Sequence, residues 1–165
     1  MKTPLSTVLA AALLSACASD GTHGLVPGQT QAEVQAAMGK PAEVRKFSDG
    51  GSVLWYPQMP YGPGTYAAVM DPDGRLVKME QRLADPFVGE IIPNKTTASQ
   101  VLDIVGPPYR KTQNKRMDRE VWTYKQQVFP FPKALFVQMS PDGIVREVYY
   151  LDDPEIPRVG AGSPP

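Results

Sequence analysis

The phrase "EVQAAMGKP" at residues 33–41 is answered by "QVLDIVGPP" at residues 100–108. Val34 and Val101, Gly39 and Gly106, and Pro41 and Pro108 each stand 67 positions apart. A fixed offset kept over several residues marks a structural unit written twice. Trp55 and Trp122 keep the same offset, and "DPDG" at 71–74 is matched by "SPDG" at 140–143, now offset by 69. On this alignment the second copy carries two extra residues between its tryptophan and its Pro-Asp-Gly.

Each copy opens with a helix signal. Thr30 with Glu33, and Thr97 with Gln100, have capping-box spacing, in which the threonine hydroxyl and the fourth side chain satisfy each other's backbone amides. Apolar residues follow at helical spacing: Val34, Ala37 and Met38 in one copy, Val101, Ile104 and Val105 in the other. Gly39 and Gly106 then sit where a left-handed C′ residue belongs, and Pro41 and Pro107-Pro108 stop the helix. Helices of two or three turns are not stable alone, so each must pack on something.

The segments after each glycine have strand character. They are 42–47, 53–56, 66–70 and 76–83 in the first copy, and 109–112, 120–128, 134–139 and 144–151 in the second. Pro-Asp-Gly fits a type I turn with glycine in the left-handed bulge position, closing a tight hairpin. The expected fold is therefore α+β, with two tandem units, each a short N-terminal helix packed on a three- to four-stranded antiparallel sheet. Residues 26–83 and 94–151 form the units, 84–93 a linker, and 152–165 a disordered tail. Units of this size are marginal alone, so the two should pack against each other or share a sheet.

The N-terminus gives an address. Lys2 and the apolar run from Leu5 to Leu14 read as a signal peptide, residues 1–16, too short to span a bilayer. Leu14-Ser15-Ala16-Cys17 resembles the lipobox of bacterial lipoproteins, which implies lipidation of Cys17 and a tether over residues 17–25. That also accounts for a single cysteine in an exported chain. Ala18 in place of an aspartate after the cysteine implies the outer membrane, facing the periplasm. Charge is balanced, 17 basic against 17 acidic residues, without the basic footprint that nucleic-acid binding needs.

A helix ending in Gly-x-Pro, a strand, Trp55-Tyr56 or Trp122 with Tyr124, and a hairpin with Asp73-Gly74 or Asp142-Gly143, on a chain with a lipobox, resembles the SmpA/OmlA (BamE-like) family. The resemblance implies a small α+β outer-membrane lipoprotein supporting the insertion of β-barrel proteins. Members of that family carry one such unit, and this chain carries two. The tandem pair resembles the architecture of β-lactamase inhibitor proteins, whose concave sheet grips an enzyme.

The chemistry on offer is apolar. His23, the single histidine, has no second ligand nearby, and the carboxylates Glu80, Glu120 and Glu147 stand singly. Gly-x-Ser-x-Gly and phosphate-loop patterns are missing, so no catalytic residue, metal or cofactor is expected. After each tryptophan runs an aromatic-proline stretch, "WYPQMPYGPG" and "WTYKQQVFPFPK". Proline blocks ladder pairing, so these read as hairpin tips. Trp55 and Trp122 are expected in the core, whereas Met59, Tyr61, Phe129 and Phe131 are equally suited to core or to a protein interface.

The expected role is a non-catalytic scaffold in envelope or barrel-protein assembly, held to the membrane through Cys17 and bound to a protein partner. The alternative is a periplasmic inhibitor or ligand-binding module using a concave aromatic sheet. A hydrolase built on converging carboxylates ranks third.

Overall fold

The computed structural model describes residues 24–62, 64–126, 131–153 and 155. Its order is α1 (Gln31–Met38), β1 (Glu43–Lys46), β2 (Ser52–Pro57), β3 (Thr65–Met70), β4 (Leu76–Gln81), α2 (Asp85–Val88), α3 (Ala98–Val105), β5 (Arg110–Asn114), β6 (Arg119–Gln126), β7 (Lys133–Met139) and β8 (Val145–Asp152). The fold is α+β, with two separate antiparallel sheets, β1-β2-β3-β4 (sheet 1) and β5-β6-β7-β8 (sheet 2).

Both capping boxes form. Thr30 accepts from the Glu33 amide while Glu33 accepts from the Thr30 amide, and Thr97 and Gln100 do the same. The two helix-ending glycines keep the expected positive φ, but with ψ near −168° at Gly39 and −166° at Gly106. They lie outside the expected left-handed helical region, in an extended conformation that glycine alone tolerates. In both Pro-Asp-Gly turns the glycine φ is positive (73° and 76°), and an irregularity follows in the ladder beside it.

The ladders show how far the halves correspond. Glu43 pairs with Trp55, whereas Arg110, 67 positions after Glu43, pairs with Thr123. The β5–β6 hairpin is one residue longer than β1–β2, and the β6–β7 hairpin adds one more. The two extra residues are therefore split, one on each side of β6. Trp55 matches Thr123 in position, and Leu54 matches Trp122. This corrects the sequence alignment of the tryptophans, because a one-residue shift in a strand moves every side chain to the other face.

The cores follow this register. Val34, Leu54, Tyr56, Tyr66, Ala68, Met70 and Leu76 form one buried cluster. Their positional counterparts Val101, Trp122, Tyr124, Leu135, Val137, Met139 and Val145 all lie in a second. Ala37, expected on the apolar stripe of α1, is exposed. Both tryptophans are buried, but Trp55 sits on the opposite face of sheet 1 with Val53 and Ala67.

That opposite face meets the end of α3. A Cβ on Gly106 would stand 2.4 Å from Trp55 Cε3, so the indole lies directly against the Gly106 backbone. The Gly106 carbonyl accepts from the Tyr124 hydroxyl of sheet 2 at 3.0 Å. Burial, with a smaller contribution from the Glu43 charge, holds the Tyr124 phenol well above its ordinary range. Below this contact Arg45 bonds Asp103 (2.6 Å) and Ser99 (3.2 Å) of α3. The expected linker is not loose: it contains α2, and Leu83, Val88 and Ile91 are buried in the second cluster.

Gly39 has the same backbone conformation as Gly106 and nothing within 4 Å of its missing Cβ. Gly39→Ala should cost about 1–3 kcal/mol from backbone strain alone. Gly106→Ala should cost roughly 2 kcal/mol more, because the Trp55 ring has no room to retreat. Urea denaturation of the two variants checks this, with equal midpoints as the contrary result.

Candidate functional site

The hairpins β2–β3 and β6–β7 turn at the same end of the molecule, here called the apex. In the first tip the Gln58 amide donates to the Gly64 carbonyl (2.9 Å) and the Gly62 amide to the Gln58 carbonyl (2.7 Å). A Cβ at Gly62 would collide with Gln58 at 2.3 Å, so this compact turn requires glycine. Tyr61 projects from it with 84% of its surface exposed. Phe131, beside the other tip, is 57% exposed.

Met59 faces inward. It is half-buried against the second core, and its sulfur accepts the Lys125 amide at 3.1 Å. That amide lies beyond the start of β5, which is preceded by Pro107-Pro108, so the sulfur takes the place of a ladder acceptor. The buried Gln126 side chain donates to the Leu83 carbonyl. The first tip is thus held to sheet 2, and the end of β6 is held to the chain leaving sheet 1.

A charge cluster fixes the same end. The Lys125 ammonium bonds Asp153 (3.1 Å) and Glu155 (2.6 Å), with its side chain 4% exposed and that of Asp153 1% exposed. Glu155 also bonds Arg110 at 2.5 Å, and both cations lie over the Tyr109 ring. Burial alone pushes the Lys125 ammonium down, but hydrogen bonds and charge from Glu155 and Asp153 outweigh it and leave it raised. The hydrogen bond from Lys125 holds the Glu155 carboxyl below its usual range, with further help from Arg110. A buried cation with two carboxylates on it is firmly held, because removing one partner strands charge in the interior.

Among the described residues, five aromatic side chains are exposed: Phe47, Tyr61, Tyr109, Phe131 and Tyr150. All but Phe47 lie towards the apex, together with exposed Leu151. The chain enters at the opposite end. There the Gly28 amide donates to the Leu76 carbonyl (2.8 Å) and Arg75 donates to the Gly28 carbonyl (3.0 Å), beside the Asp71–Gly74 turn.

Of the residues singled out in the sequence, Tyr61 and Phe131 are on the surface and Met59 is packed inside. Cys17, His23 and Phe129 lie outside the described residues. Lys125, Asp153, Glu155, Arg110 and Tyr109 carried no motif; their meeting depends on strand register. The expected tail from 152 onward also needs correction at its start, since Asp152 ends β8 and Asp153 is buried. Two of the three single carboxylates have basic partners, Glu80 with Arg82 and Lys78, and Glu147 with Arg119. Among the described residues no group of three or more His, Cys, Asp or Glu could hold a metal, and no helix is long and apolar enough to cross a membrane.

No family model matches the chain, and no curated protein matches it in sequence. One similar solved structure is a DUF4309 family protein (YjgB) from Bacillus subtilis subsp. subtilis str. 168. It is 17% identical over 74% of this chain and 78% of that chain, with a TM-score of 0.31. A likeness that low carries no argument about fold or function.

The lowered Glu155 carboxyl gives a signed pH dependence. With its folded pKa below 4.5, its contribution to stability is present above that value and is lost as pH falls through the folded pKa. The gap in denaturation midpoint between the native chain and Glu155→Gln should be open at pH 7 and narrow as pH falls through the lowered folded pKa. A gap independent of pH is the contrary result.

Proposed function

We propose that the chain is a tandem pair of helix-plus-four-strand units, similar to the SmpA/OmlA (BamE-like) lipoproteins. It is anchored in the outer membrane through Cys17 and binds a protein partner as a non-catalytic scaffold in envelope assembly. Position-by-position matching of the two cores supports the duplication. The helix of each unit contributes Val34 or Val101 to a cluster built from its own sheet.

The observation that carries the binding role is the apex. Four exposed aromatic side chains and a leucine share one end: Tyr61 and Phe131 beside the β2–β3 and β6–β7 connections, Tyr109 just before β5, and Tyr150 and Leu151 on β8, around the contacts of Met59, Gln126 and the Lys125 charge cluster. Aromatic residues on a rigid support lose little conformational entropy on binding, which is why they dominate interface energetics. The apex also lies opposite the end where the anchored segment enters, so it faces away from the root of the tether. A second reading, an inhibitor module gripping its target with a sheet, draws on the stacked Phe136 and Tyr149 rings of sheet 2.

Tyr61→Ala and Phe131→Ala should leave stability within about 0.5 kcal/mol of native, because both side chains are exposed. They should still abolish recovery of barrel-assembly subunits in pull-downs from detergent-solubilised envelope. Recovery of a single soluble enzyme instead would favour the inhibitor reading, and unchanged outer-membrane protein levels on deletion would count against the scaffold. Cys17→Ala should release the protein from the membrane fraction; a variant that is still acylated and sediments refutes the anchor.

A further inference from the structure

The joint between the halves uses three positions of α3. Arg45 of sheet 1 bonds Ser99 and Asp103, and the Trp55 ring lies on Gly106. Spaced i, i+4 and i+7, these residues share one side of the helix. Val101 and Val105 enter the core of sheet 2 from another side. The helix α3 is thus packed between two sheets.

The helix α1 meets sheet 1 through Val34. At the offset of 67, its counterparts of the joint positions are Ala32, Ala36 and Gly39, and all three are exposed. Gly39 has the backbone conformation of Gly106, with nothing within 4 Å of its missing Cβ. Sheet 2 shows the complementary condition. Its Trp122–Tyr124 face holds α3, while the other presents Val121, Thr123, Phe136 and Tyr149, all half-buried. By ladder position Thr123 matches Trp55, Phe136 matches Ala67 and Tyr149 matches Glu80. The aromatic bulk that β2 supplies on sheet 1 comes instead from β7 and β8 on sheet 2, whose rings stack 5.4 Å apart.

We propose that this face of sheet 2 binds the exposed side of α1 in a second copy of the chain, in the arrangement that sheet 1 and α3 already show within one chain. The internal order, α1, sheet 1, α3, sheet 2, then continues into α1 of the next copy. Charge at the matching positions agrees. Arg45 corresponds to Thr112 and Asp103 to Ala36, so the ion pair of the internal joint is replaced by two neutral side chains. Keeping only one member of that pair would strand a charge in the contact. Ala36 and Gly39 let the Phe136 and Tyr149 rings approach the helix backbone, as Gly106 lets Trp55. Stacked repeats are ordinarily sealed by polar outer faces, whereas these two ends show alanine with glycine and aromatic rings. Because two different surfaces meet, the association is head-to-tail and grows into a ring or an open row. It depends neither on the apex nor on the membrane anchor.

The test is sedimentation velocity of the full-length Cys17→Ala chain over a range of concentrations, where the sedimentation coefficient should rise with concentration. Ala36→Asp puts a lone charge into the contact and should raise the concentration of half-association about tenfold or more. Adding Thr112→Arg to it copies the Asp103–Arg45 pair and should restore association. Both positions are exposed, so the fold itself tolerates these changes. A chain that stays monomeric throughout, or association indifferent to Ala36→Asp, overturns the proposal. Cross-linking reads the orientation separately. A short bismaleimide should join the Ala36→Cys chain to the Thr112→Cys chain in a mixture, both in the Cys17→Ala background, while neither chain joins to itself. Self-joining of either chain, or no product from the mixture, overturns the proposal.

Discussion

The contact between the Trp55 indole and the Gly106 backbone joins the two halves. A unit of about 60 residues buries too little surface to be secure alone, and this chain has no disulfide to help. Trp55 adds the largest fully buried side chain of the protein to the joint. Glycine lets the ring approach the chain closely, and the same residue's carbonyl takes the Tyr124 hydroxyl. One backbone unit is thus held by sheet 1 on one side and by sheet 2 on the other. Close packing of this kind tolerates little change in volume, which is why Gly106 and Gly39 differ in consequence despite sharing a conformation.

A single residue of register separates the two sheets in role. In sheet 1 the tryptophan points away from its own helix and receives the other half of the molecule. In sheet 2 the tryptophan points towards α3 and fills the core, while Thr123 takes the outward place. The extra residue in the β5–β6 hairpin brings this about, since side-chain direction alternates with every residue of a strand. The two faces are thereby chemically distinct, one built to receive a helix end and the other carrying an aromatic stack.

The apex follows from the same joint. With α3 seated on sheet 1, the β2–β3 tip comes close enough to the end of β6 for the Met59 sulfur to take the Lys125 amide. Tyr61 is then presented by a compact turn held against sheet 2, and Phe131 stands exposed just before β7. The charge cluster at Lys125 adds a second fastening on sheet 2 and ties the end of β8 into the same region.

Much of this was legible in the sequence. Capping boxes, glycine stops and Pro-Asp-Gly turns are local chemistry, and they fixed the α1 and α3 starts, their ends and two hairpins. The eight strands fell on segments of strand character between those markers, although β1 (EVRK) and β5 (RKTQN) carry almost no apolar residues. That the aromatic-proline stretches leave the central strands was also readable, because proline blocks ladder pairing, but which of their side chains are exposed was not: Tyr61 and Phe131 are on the surface and Met59 is packed inside. Which tryptophan faces which way was not readable, since it depends on hairpin length, and matching residues by sequence offset put the extra residues in the wrong place. The Lys125, Asp153, Glu155 and Arg110 cluster was invisible for a similar reason: its members come from two strands, β5 and β6, and from the segment after β8, and no spacing along the sequence encodes their meeting. Local hydrogen bonding determined the elements; only the packing of one sheet against the other's helix decided their partners, because burial acts between residues that are distant in the chain.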